Sequence, residues 1–430
     1  MKKIIIFFII LALILIFSLQ CDTPGESGNG SSGSNEGGSS SSSSSTSSSN
    51  SSSSSSSLPS LPQYKVIAPD AYYWDEFGSS VSISGDYAIV GAWKEDEAGG
   101  DSGAVYFFHR IDTNTWDAGI KKIAPSGGDD DNFGISVSIS GDYAIVGASG
   151  VNVNTGAAYI YHRTGTNTWD RITGMKASDY YDNFGISVSI SGDYAIIGAY
   201  GDDNNTGAVY IYHRTGVDSW TSKIKITAPD AEQGDSFGCS VSISGDYAIV
   251  GAMGEDEGGV GSGAAYIFHR TGTNTWDAGT KITASSASME DFFGVAVAIS
   301  GDYAIVGATG EDAIGTTNSG AAFIFHRTGT NSWDTGIKIT AFDANDNDSF
   351  GISLSISGDY AIVGANWDDN NTGAAYIYHK IGTNSWDTGT KITAFDASSG
   401  SNFGFSVCIS EGYIVVGSSY DNNIGAAYIF

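Results

Sequence analysis

Most of this chain alternates stretches of period-two patterning with stretches that are apolar throughout, always in the same order. Between residues 237 and 284, Ser240-Val241-Ser242-Ile243-Ser244 sets small polar and apolar side chains on alternate positions, which predicts a strand. Gly245-Asp246 makes a tight turn, and Tyr247 to Ala252 is a mostly apolar second strand containing β-branched residues. An acidic, Gly-rich loop leads to a third strand over 264–269. Thr271-Gly272-Thr273-Asn274 then reverses the chain, and residues 276–284 close with Lys281-Ile282-Thr283 as a fourth strand. No segment of the folded region carries a helical period.

The same order recurs seven times, each copy opening on a Phe-Gly pair at Phe77, Phe133, Phe184, Phe237, Phe293, Phe350 and Phe403, spaced 51 to 57 residues apart. A fixed period of this length marks one supersecondary unit that buries its core only by stacking on its neighbours. The expected fold is all-β, a seven-bladed β-propeller of four-stranded antiparallel blades. The seventh copy reaches Phe430 after its third strand, while Tyr64-Lys65-Val66-Ile67-Ala68 precedes the first Phe-Gly and matches a fourth strand. The N-terminal strand is therefore expected to complete the seventh blade and close the ring, leaving no open sheet edge. A β-solenoid or an open array of modules does not explain this three-plus-one split.

Phe-Gly at the start of each copy, Gly-Ala after the second strand and Gly-Ala-Ala-Tyr-Ile-Phe/Tyr in the third resemble the FG-GAP repeats of bacterial extracellular proteins, relatives of the propeller in integrin α-subunits. The resemblance covers all seven copies and implies a propeller exposed outside the cell, linked to adhesion or ligand binding. The Pro of the family signature is replaced by Trp93, Ser149, Tyr200, Met253, Thr309 and Asn366, and the seventh copy reads Gly417-Ser418. The integrin type also carries Ca²⁺ loops between its first two strands. Here that connection has shrunk to turns such as Ser140-Gly141-Asp142, too short to supply six to eight oxygen ligands.

The N-terminal region reads differently. Met1-Lys2-Lys3 and the 14-residue apolar run 4–17 have the form of a signal sequence. Ser18-Leu19-Gln20-Cys21 resembles a bacterial lipobox, although Ser18 and Gln20 depart from its usual residues. The expected organisation is a lipoprotein-type signal peptide over 1–20, a Cys21 anchor with a Ser/Gly tether over 21–60, and the propeller over 61–430. The tether is too polar to bury a core. Together these imply an exported lipoprotein at the cell surface or in the periplasm, touching membrane only through its lipid. Cys239 and Cys408 sit at different places in their repeats and are not expected to form a disulfide.

The regularity of the repeats removes most catalytic readings. His109, His162, His213, His269, His326 and His379 all end the third strand, and Trp116, Trp169, Trp220, Trp276, Trp333 and Trp386 all begin the fourth-strand region. Residues repeated in six copies serve packing, whereas an active site needs its groups once. No serine-nucleophile motif or Cys-His constellation appears. The expectation is a non-enzymatic binding or adhesion module. A purely structural envelope protein, or a glycan or lipid hydrolase, is the alternative. Trp74, Trp93 and Trp367 fall outside the repeat and stand as candidate ligand-stacking residues.

Charge then locates the candidate site. The formal net charge is −29, which disfavours nucleic acid and anionic lipid as partners. The loops joining strands two and three, and those joining one blade to the next, share one face of the disc and hold 31 of the 45 acids in residues 61–430. Lys94 is the only base expected there. The acidic loops suggest hard oxygen ligands for Ca²⁺: Asp343, Asn345, Asn347 and Asp348; Asp129 and Asp131; Asp202 and Asp203; Asp368 and Asp369. The partner is expected to be a protein or glycan that is cationic or bridged through metal.

Overall fold

The computed structural model describes residues 63–113 and 115–430. The signal peptide, Cys21 and the tether lie outside the described residues. Residues 61–430 form one compact unit built from seven antiparallel sheets. In the fourth blade the order is Val241–Ser244, Tyr247–Ala252, Ala264–Gly272 and an outer edge made of Thr275–Trp276 and Thr280–Ile282. Tyr64–Val66 pairs antiparallel with the strand Ala426–Ile429, so the seventh blade takes its outer strand from the N-terminal side and the ring closes as expected.

The hydrophobic core is a ring of seven clusters, each spanning two neighbouring blades. Because both faces of every blade are covered by a neighbour, the second strands read as nearly continuous apolar runs, and Ile249, Val250 and Ala252 are fully buried. Phe237 is equally buried and meets Tyr266 and Phe268 edge-on, at ring separations of 5.5 and 6.1 Å. Its own N–H donates to Thr206 O of the preceding blade.

The glycines of the repeat permit this close stacking. Gly238 has φ +92°, a left-handed conformation open to glycine, and a Cβ there would lie 2.5 Å from Ala208 O of the blade before. A Cβ on Gly251 would lie 1.9 Å from Gly294 O of the blade after. The Phe-Gly and Gly-Ala doublets are thus the two sides of one inter-blade contact.

The polar positions of the first strand serve the same contact. Ser80, Ser136, Ser187, Ser240, Ser353 and Ser406 each donate to the carbonyl of the next blade's Phe-Gly glycine, at 2.7 to 2.9 Å. One step along, Ser82, Ser138, Ser189, Ser242 and Ser355 accept the N–H of Ile139, Ile190, Ile243, Ile299 and Ile409. Ser406 to Gly78 joins blade seven to blade one, so the serine ring closes along with the sheet.

Blade five carries Ala296 where six blades have the bridging serine. Ala296→Ser should restore the bond to Gly351 O and stabilise the fold by about 1 kcal/mol, read as a rise in urea midpoint at unchanged m-value. No gain would mean that the serine bonds are incidental to the stacking.

Candidate functional site: the acidic loop face

The third strand of every blade but the fifth, which has Phe323 in that place, carries a tyrosine near the acidic face, opposite a residue of the outer strand. In six blades that residue is a lysine: Lys65, Lys121, Lys225, Lys281, Lys338 or Lys391. These side chains reach up among the loop carboxylates. Lys281 Nζ lies 2.7 Å from Asp230, 2.9 Å from Glu255 and 2.8 Å from Glu257, and the Tyr266 hydroxyl donates to Asp230 at 2.8 Å. Lys121 repeats this with Asp70, Glu95 and Glu97. The two carboxylate trios with metal-like spacing, Asp70-Glu95-Glu97 and Asp230-Glu255-Glu257, are therefore each centred on an ammonium group.

The expectation that Lys94 is the only base on this face is thereby corrected. A fourth-strand lysine looks from the sequence like an edge residue of a strand. Its side chain is long enough to carry its charge along the blade to the loops, and burial of its stem leaves the head beside the carboxylates.

The sequence-predicted metal ligands are partly brought together. Asp343, Asp368 and Asp369 converge on Lys391 Nζ at 2.8, 2.8 and 3.3 Å, with the Tyr376 hydroxyl donating to both Asp343 and Asp368. Asp202 and Asp203 sit on Lys225 at 2.7 and 3.1 Å. Asn345 and Asp348 instead close the turn of their own loop, Asp348 accepting the Asn345 N–H at 2.6 Å, and Asn347 takes a left-handed backbone. Asp129 accepts the Gly100 N–H and Asp131 the Gly128 N–H.

Blade two lacks every charged member of the cluster at once. Gly174 stands opposite Tyr159 where the lysine belongs, Val151 replaces the buried loop acid, and Ser126 replaces the aspartate on the tyrosine hydroxyl. Loss of all three together is what a buried charge cluster requires, since an unpaired member would be costly. Lys281→Gln should accordingly destabilise the propeller by about 3 kcal/mol, because it leaves Glu255 buried without its cation; a thermal or urea shift near zero would contradict the coupling.

A second set of carboxylates lies two residues before the Phe-Gly pairs. Asp75, Asp182, Asp291 and Asp348 are buried, and each accepts the N–H of the residue three back. Burial, reinforced by neighbouring carboxylates, pushes the first to about 6, the second to about 6, Asp291 to about 7 and Asp348 to about 6. Asp291 faces Glu311, whose buried Oε2 has no hydrogen-bond partner. Asp70, Asp230, Asp343 and Asp396 move oppositely. Burial works against their ionised forms, but hydrogen bonds from lysine and tyrosine outweigh it and hold them below 3.8.

The two sets give opposite pH dependences. The raised group holds protons in the native state, from about pH 4 to 6 or 7, that the unfolded chain has lost, so its contribution falls as pH rises through that window. The lowered group stabilises above 3.8 and loses that contribution as pH falls. Asp291→Asn, whose amide can donate to Glu311, should raise stability at pH 7.5 by on the order of 1–2 kcal/mol more than it does at pH 4. An equal effect at both pH values would exclude a shared proton as the cause.

Aromatic side chains stand out on the same face. Tyr72, Tyr73, Trp74, Tyr180, Tyr181, Phe342 and Phe395 are all exposed and all lie in loops entering a blade. At the seam between blades seven and one, the buried Glu76 carboxylate accepts from Trp93 Nε1 at 2.9 Å and the Tyr420 hydroxyl at 2.8 Å, and binds Lys94 Nζ at 2.6 Å. Trp74 rests edge-on against Tyr420. Two of the three candidate tryptophans thus share one seam, while Trp367 is half-buried beside Asp368 in blade six.

On the opposite face, charge pairs repeat from blade to blade. Arg163, Arg214, Arg270 and Arg327 each bind the Gly-Asp aspartate of their own blade, and each donates to the tyrosine hydroxyl of the preceding blade at 3.0 to 3.1 Å. All six imidazoles lie against their own blade's tyrosine at 4.5 to 4.9 Å, four of them stacked and two tilted. The repeated tryptophans pack between blades, Trp169 stacking on Phe107 at 4.4 Å. The histidine and tryptophan repeats are structural, as their recurrence implies.

Seven sheets in a closed ring with this inter-blade chemistry define a seven-bladed β-propeller. The FG-GAP repeat family matches residues 62–108, 116–161, 169–212, 220–268, 276–325, 333–378 and 386–430, one match per copy, and the chain belongs to that family. No curated protein matches it. The FG-GAP propeller fits a non-catalytic binding or structural role.

Proposed function

We propose that this protein is a non-enzymatic binding module, exported and tethered through a lipid on Cys21, whose acidic face engages a cationic partner at the cell surface or in the periplasm. The observation that carries the reading is the segregation of surface chemistry. The acidic face combines exposed aromatic rings with 31 carboxylates, set against Lys94, the six outer-strand lysines and Lys223 over the Tyr210 ring. The other face pairs its Gly-Asp aspartates with arginine, or in blade six with Lys380. A surplus of one sign, interleaved with exposed rings, suits a partner that brings ammonium or guanidinium groups.

Direct contact is favoured over metal bridging. The best carboxylate groups already hold lysine ammonium groups, which occupy the space a Ca²⁺ would need, and a divalent ion there would be repelled by the lysine it did not displace. Millimolar Ca²⁺ should therefore leave the melting temperature of the wild-type protein within about 1 °C of its value in chelator, and a rise of several degrees would restore the metal-bridged form of the ligand. Binding of a cationic protein should weaken steeply between 50 and 300 mM salt, while binding that ignores salt would count against the acidic face as the contact surface. Mass measurement of the mature N-terminus tests the tether, since an unmodified Cys21 would exclude it.

A further inference from the structure

The sector of the acidic face formed by the loops entering blades one, two and three combines three features absent together elsewhere on the disc. The first is conformational. The third residue before every Phe-Gly pair is left-handed: Trp74 at φ 74°, Asp130 at 59°, Tyr181 at 69°, Gly234 at 99°, Glu290 at 65°, Asn347 at 65° and Gly400 at 84°. Glycine adopts this conformation freely and Asn or Asp tolerates it, whereas a bulky aromatic side chain is strained there. Two of the seven blades nevertheless place Trp74 and Tyr181 at this position.

The second feature is exposure. Burial does not compensate the strain, for Trp74 is 57% and Tyr181 62% exposed, and Tyr72, Tyr73 and Tyr180 beside them are exposed as well. Strained residues that bury little concentrate at functional surfaces. The third feature is charge. Between these two aromatic loops lies Asp129-Asp130-Asp131, in the one blade whose outer strand carries Gly174 in place of the lysine. Among the described residues neither Asp129 nor Asp130 makes an ion pair, and Asp129 accepts only the Gly100 N–H.

We infer that this sector is a docking site for a lysine- or arginine-rich polypeptide segment, its cationic side chains stacking on Trp74 and Tyr181 while Asp129 and Asp130 take their charge. The inference rests on the binding role proposed above and assigns it a place. Charge complementarity selects this occupant: an anionic chain is repelled, and a neutral glycan could use the rings but would leave the aspartates unmatched. The protein uses the same chemistry internally, where Lys94 lies 4.6 Å over the Trp93 ring while its ammonium binds Glu76.

The test measures binding of labelled nona-arginine, nona-glutamate and a neutral glucose hexasaccharide to the full chain, together with its melting temperature. The double variant Trp74→Gly/Tyr181→Gly removes both rings and places glycine where the backbone favours it. It should bind nona-arginine at least tenfold more weakly while melting at or above the wild-type temperature. Asp129→Asn/Asp130→Asn should also weaken binding and flatten its salt dependence. Phe342→Ser/Phe395→Ser, in the loops entering blades six and seven, should leave binding unchanged. Equal binding by wild type and the glycine variant would overturn the sector assignment but keep the acidic-face reading. A wild-type chain that binds no nona-arginine overturns both. Hexasaccharide binding lost in the glycine variant, without peptide binding, would assign the sector to a glycan instead. A lowered melting temperature in that variant would make the two rings structural and also sink the proposal.

Discussion

The near-contact of one blade's Phe-Gly with the previous blade's Gly-Ala is the constraint on which the rest of this molecule depends. At Gly251 the backbones approach so closely that a single Cβ would strike the next blade's carbonyl. That approach seals the apolar faces of adjacent sheets against each other and lets a ring of serine hydroxyls bridge strands that diverge too far for backbone pairing. Because every blade is covered on both faces by a neighbour, the ring must close. It closes through backbone, serine and sheet contacts at once, with Phe77 N–H donating to Ile424 O, Ser406 to Gly78 O, and Tyr64–Val66 completing the last sheet.

This packing leaves the charged chemistry at the two rims of the disc, where it is handled in different ways. On the turn face, arginine, aspartate and tyrosine form a link repeated across five seams, with the cation over the neighbouring ring as well as beside its own aspartate. On the loop face a lysine rising from below holds up to three carboxylates, and in blade five Glu311 alone. Buried or half-buried clusters of this kind specify geometry more than they add stability, because desolvation offsets much of the attraction. Blade two shows the alternative, a neutral set of Ser126, Val151 and Gly174 that dispenses with all three charges.

Legibility in the sequence followed the range of the interaction. Strand order, the seven copies, the ring closure and the structural role of the histidines could be read directly, since each rests on local pattern or on recurrence along the chain. The exposed rings of Trp74 and the crowding of acids into two loop sets were also visible. The lysine clusters were not, although Lys121, Lys225, Lys281, Lys338 and Lys391 share one place in their repeats. The missing signal was the register that puts each lysine beside a third-strand aromatic ring, as Lys281 lies opposite Tyr266 and Lys338 opposite Phe323. Asp343 and Asp368 likewise sit 25 positions apart in sequence and meet only because two loops of one blade fold over the same ammonium.

The sequence by itself determined the architecture and the sign of each surface, because hydrophobic period, turn glycines and charge count are properties of the chain alone. Only the tertiary structure decided which carboxylates are already matched and which are left over. That depends on where flexible lysine side chains end and on the left-handed turns that hold Trp74 and Tyr181 outward, both set by contacts between segments that the chain order keeps apart.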